Sequence, residues 1–357
     1  MKVLFWVPYP QEGASNRYRV QQYLPYLEQS GIKCCVHSFW SRSAYKILYE
    51  KGHYYQKTAA LLYGTLLRLL DLLLINRYQA VFIHREAHPI GGAVLEKILA
   101  ALKKPIIFDF DDAIFLSASS LANSSLDRFK KPGKIKDIIK VSSQVIAGNR
   151  YLSDFASNYN KAVAIVPTCI DTDKFRPSCG NKQGPVVIGW MGSVTTAYYL
   201  NELKDVFIAL LDRFPDLQLK MVGGTLSLGD NRRLINKRWS LDEEIEDLRS
   251  FDIGIMPVSD NKWAQGKCGL KAILYMSMGI PCVCSDVGVS KEIIQNGVNG
   301  FLVKSKQEWI EKLSFLINHP QARKEMGRSG RLIAQERYSL QVNAPVILGI
   351  IKGVMHK

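Results

Sequence analysis

The sequence predicts an α/β protein built as two parallel-sheet domains, and three observations carry that expectation. Short β-like apolar runs alternate with segments of helical spacing throughout, the signature of parallel strands covered by helices. The 357 residues exceed the size at which one hydrophobic core usually keeps growing. A breaker-rich stretch, FRPSCGNKQGP (175–185), separates two such alternating halves.

In the first half, residues 3–7 read as a buried opening strand rather than a signal peptide, since the apolar run is short and lacks a small-residue cleavage site. A helix over 20–29, a strand over 33–38, a strand over 80–84 and a helical repeat over 89–102 follow. PIIFDFDD (105–112) is a strand running into carboxylates, and VSSQVIAGN and AVAIVPT continue the alternation. The longest apolar stretch, 59–75, contains Arg68 and Asp71 and falls short of the roughly 20 residues of a spanning helix. A core-facing helix is the preferred reading there, and a helix lying on a membrane the alternative.

The second half restarts with VVIGWMGS, a strand ending in Gly192 and Ser193. Leu200, Leu203, Phe207, Leu210 and Leu211 then recur at helical spacing until Pro215, and LQLKMVGG is the next strand. Ser240 three residues before Glu243 suggests a capping box for a short acidic helix. FDIGIMPV is a strand, SDNKWAQG a loop, and GKCGLKAILYMSMGIPCV a buried helix stopped by Gly279 and Pro281. CVCS, KEIIQNGVNG and FLV complete the unit, and 307–356 reads as helices.

Composition narrows the function classes. With 47% hydrophobic and 22% charged residues the chain is ordinary globular protein, not a disordered one. Up to Lys182 there are 25 lysines and arginines against 14 acidic residues, and 22 against 18 beyond it, so the N-terminal half carries most of the net charge of +15. A basic half suggests an anionic partner surface, nucleic acid or phospholipid headgroups. No nucleic-acid-binding motif accompanies the densest basic run, 128–140, which disfavours nucleic acid; a solvated face is the preferred reading of that run. The seven cysteines (34, 35, 169, 179, 268, 282 and 284) are odd in number without CxxC spacing, which fits reduced thiols in a cytoplasmic protein. Peripheral attachment to the inner face of a membrane is the alternative location.

Five segments carry candidate chemistry. The turn at Gly192-Ser193 has phosphate-binding geometry: glycine lets a phosphate approach the backbone, and a following helix start supplies free N–H groups. GxGxxG and GxxxxGK[ST] are both absent. Lys267 and Lys271, four apart, are expected on one face of the helix near its start, where ammoniums oppose the macrodipole unless an anion such as a diphosphate joins them. Asp109, Asp111 and Asp112 stand where a parallel strand ends, the edge at which α/β ligands bind. A metal-holding DxD and helix capping are possible there, and contact with a sugar suits the position better than metal. His84, Arg85 and Glu86 close the preceding strand, and Gly13, Arg17 and Arg19 follow the first, so three polar loops meet one sheet edge.

FDFDDAIF, GNRYLSDFA, VPTCIDTDKF, IGWMGS, FDIGIMPV and KCGLKAILYMSMGIPCVCSDVGVSKEIIQNGVNGFLV, in this order and spacing, resemble the GT-B glycosyltransferases of family 4, the retaining group-1 transferases, along nearly the whole chain. The resemblance implies two facing Rossmann-like domains with a cleft between them. An N-terminal acceptor-binding domain would cover 1–178, a C-terminal nucleotide-sugar-binding domain 179–335, and a helix over 336–357 would cross back to the first. It implies a metal-independent hexosyl transfer with no cofactor, the nucleoside-diphosphate sugar being donor substrate. The acceptor would be a glycan or lipid-linked hydroxyl in cell-surface polysaccharide or glycolipid synthesis. Two family glutamates eight positions apart, the second a ribose contact, fall here on Gly266 and Leu274. Ribose recognition, nucleotide identity and full activity turn on that departure, and Glu292 is the candidate for the remaining carboxylate contact.

On this reading Gly192, Ser193, Lys267, Lys271, Glu292 and Gly13 hold the nucleotide-sugar. Asp111, Asp112 and His84 orient sugar or acceptor, with Lys267 stabilising the leaving charge. Arg17, Arg85 and Glu86 face the acceptor. A GT-B epimerase or hydrolase, or a catalytically lapsed scaffold, are the alternatives.

Overall fold

A computed structural model describes residues 1–116, 131, 133–178 and 184–355. Among these, twelve strands form two six-stranded parallel sheets. The chain divides into two compact units. The first comprises Met1–Thr168, Gly266–Cys268 and Asn343–Lys357, and the second Cys169–Gln265 and Gly269–Val342.

The sheet of the first unit contains β1 (Lys2–Val7), β2 (Lys33–Ser38), β3 (Ala80–His84), β4 (Ile106–Phe110), β5 (Gln144–Ala147) and β6 (Val163–Ile165), in the order β2-β1-β3-β4-β5-β6. The middle strands β3 and β4 are buried at every position, as parallel strands covered on both faces must be. Strand order reverses at β1, so the carboxyl ends of β1 and β3 flank a topological switch point, the usual ligand position of a doubly wound sheet. The first helical segment is broken: Gln21–Tyr23 is a 3₁₀ turn, and the helix proper is Leu24–Gln29 with Pro25 in its first turn.

The helix Tyr54–Leu73 corrects the sequence reading of a core-facing apolar segment. It buries Gly64, Arg68 and Asp71 and turns leucines outward. Arg68 donates to the carbonyls of Ala87, His37 and Val7, each at 3.1 Å. Asp71 accepts from the Trp6 indole and pairs with His37, both at 2.7 Å. Burial pulls Arg68 down to about 10, against the opposing pull of Asp71 and Glu96. A buried charge left without these partners would cost several kcal/mol, so the polar side must face inward whatever the leucines do. Among the described residues no helix is long and apolar enough to cross a membrane.

The second unit contains β7 (Val187–Met191), β8 (Gln218–Val222), β9 (Leu234–Lys237), β10 (Ile253–Met256), β11 (Cys282–Ser285) and β12 (Gly300–Val303), ordered β12-β11-β10-β7-β8-β9. Its switch point lies at β7, between β8 and β10. The helix Lys204–Arg213 packs Val206, Phe207, Leu210 and Leu211 into a core shared with Trp190, Leu219 and Ile253. β9, with no apolar run to announce it, is an edge strand without a fully buried residue. No capping box forms at Ser240: the acidic helix is Glu244–Arg249, with Glu243 at its N-cap. The pattern appears instead at Ser193 and Thr196, around the short 3₁₀ turn Val194–Thr196. Lys262–Gln265, read as loop, is one helical turn. Cys282 and Cys284 alternate along β11 as buried free thiols; Cys179 lies outside the described residues.

Candidate functional site

The carboxyl edge of the first sheet carries a chain of ion pairs. Asp109, at the end of β4, is clamped by Arg19: Nε donates to one carboxylate oxygen at 3.2 Å and Nη2 to the other, while Nη1 donates to Val166 O at 2.8 Å. His84, closing β3, contacts Asp109 through Nδ1 at 2.7 Å and is fully buried. Its Nε2 has no hydrogen-bond partner among the described residues, with Asp111 Oδ1 at 3.9 Å. Burial works to raise the Asp109 carboxyl, but the Arg19 charge and the His84 contact bring it below its usual range.

Arg85 follows at once in a left-handed conformation, φ 65°. For a residue other than glycine this stores on the order of 1–3 kcal/mol. The twist sends its N–H to Asp109 O at 2.7 Å and its guanidinium to Asp111 at 2.8 Å and Asp112 at 2.6 Å. Despite burial, Arg85, then His84, holds Asp111 well below the ordinary carboxylate range. Asp111 is therefore an anion fixed by Arg85, and Asp112 pairs with the same guanidinium. Glu86 likewise pairs with Lys134, at 2.9 Å. Among the described residues no three His, Cys, Asp or Glu side chains gather as a metal site.

Gly13 is the N-cap of the short helix Ala14–Arg19, and a Cβ there would press on Tyr9 Cβ at 2.6 Å. The Arg17 guanidinium lies over the Tyr18 ring at 4.9 Å. Tyr9 packs on Tyr45 at 5.3 Å and its hydroxyl accepts from Tyr49 at 3.2 Å. These tyrosines were not singled out from sequence; the only signal was Tyr9 at the carboxyl end of β1, since Tyr45 and Tyr49 arrive from a distant helix.

The segment Gly266–Cys268 belongs to this same unit. Gly266 passes Ala113 so closely that a Cβ would sit 2.7 Å from the Ala113 nitrogen, so no glutamate fits there. The Lys267 carbonyl accepts from Asn149 Nδ2 at 3.0 Å, and Asn149 also caps the helix Arg150–Ser157. The Cys268 thiol donates to Asp111 O at 3.1 Å; burial, reinforced by Asp111, keeps it protonated. Gly148 is glycine because a Cβ would collide with this sulfur.

Lys267 and Lys271 do not share a helix face, which corrects the sequence expectation. The helix is Leu270–Ser277, and Gly269 at its N-cap has φ 66°, a break that puts Lys267 outside it. Lys271 is in the second unit, its Nζ 5.5 Å from the Trp190 ring centre. Leu274, at the second glutamate position, is buried in the core side of this helix. Tyr275 fixes the helix against the sheet, its hydroxyl accepting from Met191 N at 3.0 Å and donating to Ile255 O at 3.4 Å.

At the end of β7 the chain is bare backbone. Gly192 donates to Val222 O at 3.0 Å, and a Cβ at Gly192 would strike the Trp190 ring and lie 2.8 Å from Lys271 Cε. Gly223, φ 82°, abuts the Gly192 carbonyl, and Gly224 the Trp190 ring. Ser193 is exposed, its N–H donating to Thr196 Oγ1 at 3.3 Å. Glu292 is exposed in the single helical turn Ser290–Ile293 that follows β11. The second unit thus places Gly192 and Lys271 side by side, with Ser193 next in the chain, which sets an ammonium beside glycine backbone.

Residues 185–319 match the family model described as "Glycosyl transferases group 1". A curated trehalose synthase of Pyrococcus horikoshii is 30% identical over 86 residues, which is 24% of this chain and 21% of the length of that enzyme. Among solved structures, sucrose-phosphate synthase from Thermosynechococcus elongatus superposes with a TM-score of 0.72 at 13% identity, covering 100% of this chain and 99% of that one. Anabaena Alr3699/HepE, solved with UDP and glucose, superposes with a TM-score of 0.70 at 14% identity, covering 99% and 100%. The fold is that of the GT-B glycosyltransferases, with two α/β units each built on a parallel sheet.

Proposed function

We propose that the chain is a retaining glycosyltransferase that moves a hexosyl unit from a nucleoside-diphosphate sugar to a hydroxyl of a glycan or lipid-linked acceptor. The observation that carries this reading is the glycine turn at Gly192, packed so closely that Lys271 Cε lies 2.8 Å from where a Cβ would stand. It lies in the part of the chain that matches the group-1 transferase model, and a similar fold has been solved with UDP and glucose. Ser193 and Glu292 complete the donor side. Lys271 neutralises charge on the diphosphate as the bond from the anomeric carbon to the phosphate oxygen breaks.

The acceptor side is the ion-paired edge of the first unit. Asp111 and Asp112, both held by Arg85, accept from sugar hydroxyls, and the buried His84 Nε2 adds a neighbouring polar contact. No side chain stands out as a covalent nucleophile. The acceptor oxygen therefore bonds to the anomeric carbon on the face the phosphate leaves, and its proton passes to that phosphate. The carboxylates of the DxD spacing are occupied by arginines, which supports a route in which ammonium and amide groups, rather than a carboxylate-held metal, meet the diphosphate.

A thermal-shift series with UDP, GDP and ADP and their glucose esters tests donor binding, because a ligand of the native state raises the melting temperature. Proton NMR of the product then reads the anomeric configuration. Lys271→Ala and Lys267→Ala are each expected to lower kcat by on the order of 10²–10³. Wild-type turnover in either variant removes that lysine from the mechanism. The buried Leu274 and the packed Gly266 favour, as a second reading, a protein that binds without transferring. Nucleotide binding with hydrolysis or epimerisation but no transfer identifies the epimerase or hydrolase, and no binding at all the scaffold.

A further inference from the structure

The outward face of the helix Tyr54–Leu73 has no role in the core of its unit. Tyr55, Leu62, Leu66, Leu69 and Leu73 recur along it at alternating spacings of three, four and seven, and all are exposed, Leu73 by 80% and Leu62 by 65%. Tyr63 and Leu70 widen the stripe. The only charged residues between 58 and 74 are Arg68 and Asp71, both buried on the opposite side. The rotation that exposes the leucines is fixed by the hydrogen bonds of Arg68 and Asp71 to Trp6, His37, Val7 and Ala87. An uncharged apolar face of this length, roughly 30 Å for 20 residues, is unusual on a protein surface unless something covers it.

We propose that this face is a membrane-docking surface, with the helix lying in the headgroup region of an anionic bilayer. Charge decides between a bilayer and a second copy. Exposed Lys46 and Lys51 precede the helix and exposed Arg77 follows it, whereas Glu50 is the only exposed acidic residue between 46 and 77. With a net charge of +15, two copies repel each other, and the same charge draws the chain to anionic lipid. The positions flanking the leucine stripe, among them Gln56, Thr58, Tyr63, Thr65 and Leu70, carry none of the charges that set pairing and register in a helix dimer. Leucines on the apolar side with tyrosines at one end match a helix seated at the interface of lipid and water. The proposal stands apart from the transferase reading, because a chain with no sugar-nucleotide activity would dock in the same way.

The test is flotation of the full chain with vesicles of phosphatidylcholine and phosphatidylglycerol at 3:1. The wild type is compared with Leu62→Gln/Leu66→Gln/Leu69→Gln and with Leu73→Gln alone. These side chains are exposed, so circular dichroism melts should superpose; if the triple variant fails to fold, the single one still reports. The wild type is expected to float, with about a tenfold loss of partitioning in the single variant and about a hundredfold or more in the triple one. UDP binding, followed by calorimetry, should be unchanged in both. Equal flotation of wild type and variants, or no flotation of the wild type, overturns the proposal. A wild-type dimer in sedimentation velocity that the variants dissolve, without flotation, overturns it in favour of a second copy as the occupant.

Discussion

The carboxyl edges of the two sheets solve the problem of polar groups in opposite ways. In the first unit the edge is crowded with side chains that satisfy one another: Arg19 with Asp109, Asp109 with His84, Arg85 with Asp111 and Asp112. In the second the edge is glycine backbone, with Gly192, Gly223 and Gly224 packed closely around Trp190 and Lys271 over its ring. The first arrangement holds fixed charges in place at the cost of mutual dependence. The second sets an ammonium beside close-packed glycine backbone. Substitutions should therefore damage folding at the first edge and binding at the second.

The largest effect is expected at the first edge. Asp109→Asn leaves the buried Arg19 guanidinium without its counter-charge and should destabilise the protein by about 3–5 kcal/mol in denaturant titrations. At a temperature where the variant is folded, nucleotide affinity should match the wild type; a variant as stable as wild type would show that this network is not what holds the edge. At the second edge Lys271→Ala should weaken nucleoside-diphosphate binding on the order of 10²-fold, by removing the ammonium that a phosphate would meet, with little loss of stability. Calorimetry that finds unchanged affinity would erase the contrast between the two edges.

The smallest effect sharpens the first edge through its pH dependence. Because Asp111 titrates below its unfolded value, its contribution is present above the unfolded carboxylate pKa near 4 and is lost as pH falls through the folded value. Arg85→Met should lower stability at pH 7 by about 2 kcal/mol. The gap to wild type should then close as acid is added below about pH 4. A constant gap across that range would mean that Arg85 acts through packing alone.

How much of this was legible in the sequence follows from what each feature depends on. The strands β1, β3, β4 and β7 announced themselves because burial on both faces demands continuous apolar runs. β9 did not, because an edge strand can be polar throughout. The shared face of Lys267 and Lys271 failed on one dihedral, the positive φ of Gly269, which periodicity cannot register. Apolar spacing located the Tyr54–Leu73 helix but not which side faces in, because that is decided by Trp6 and His37, far away in sequence. The same limit explains Arg85: its proximity to the carboxylates was legible, but its capture of them depends on a left-handed backbone.

The interleaved composition of the first unit has a consequence for biosynthesis. Asn343, Ala344, Ile347, Ile351 and Val354 are buried, and the segment from Asn343 onward groups with Met1–Thr168 rather than with the residues translated just before it. During translation the amino-terminal segment must wait for these side chains until nearly all of the second unit has left the ribosome. The second unit, without that debt, is free to condense first, which reverses the usual vectorial order. A nascent chain arrested before Asn343 would leave the earlier-made segment open to chaperones and proteases, however well its own strands are paired.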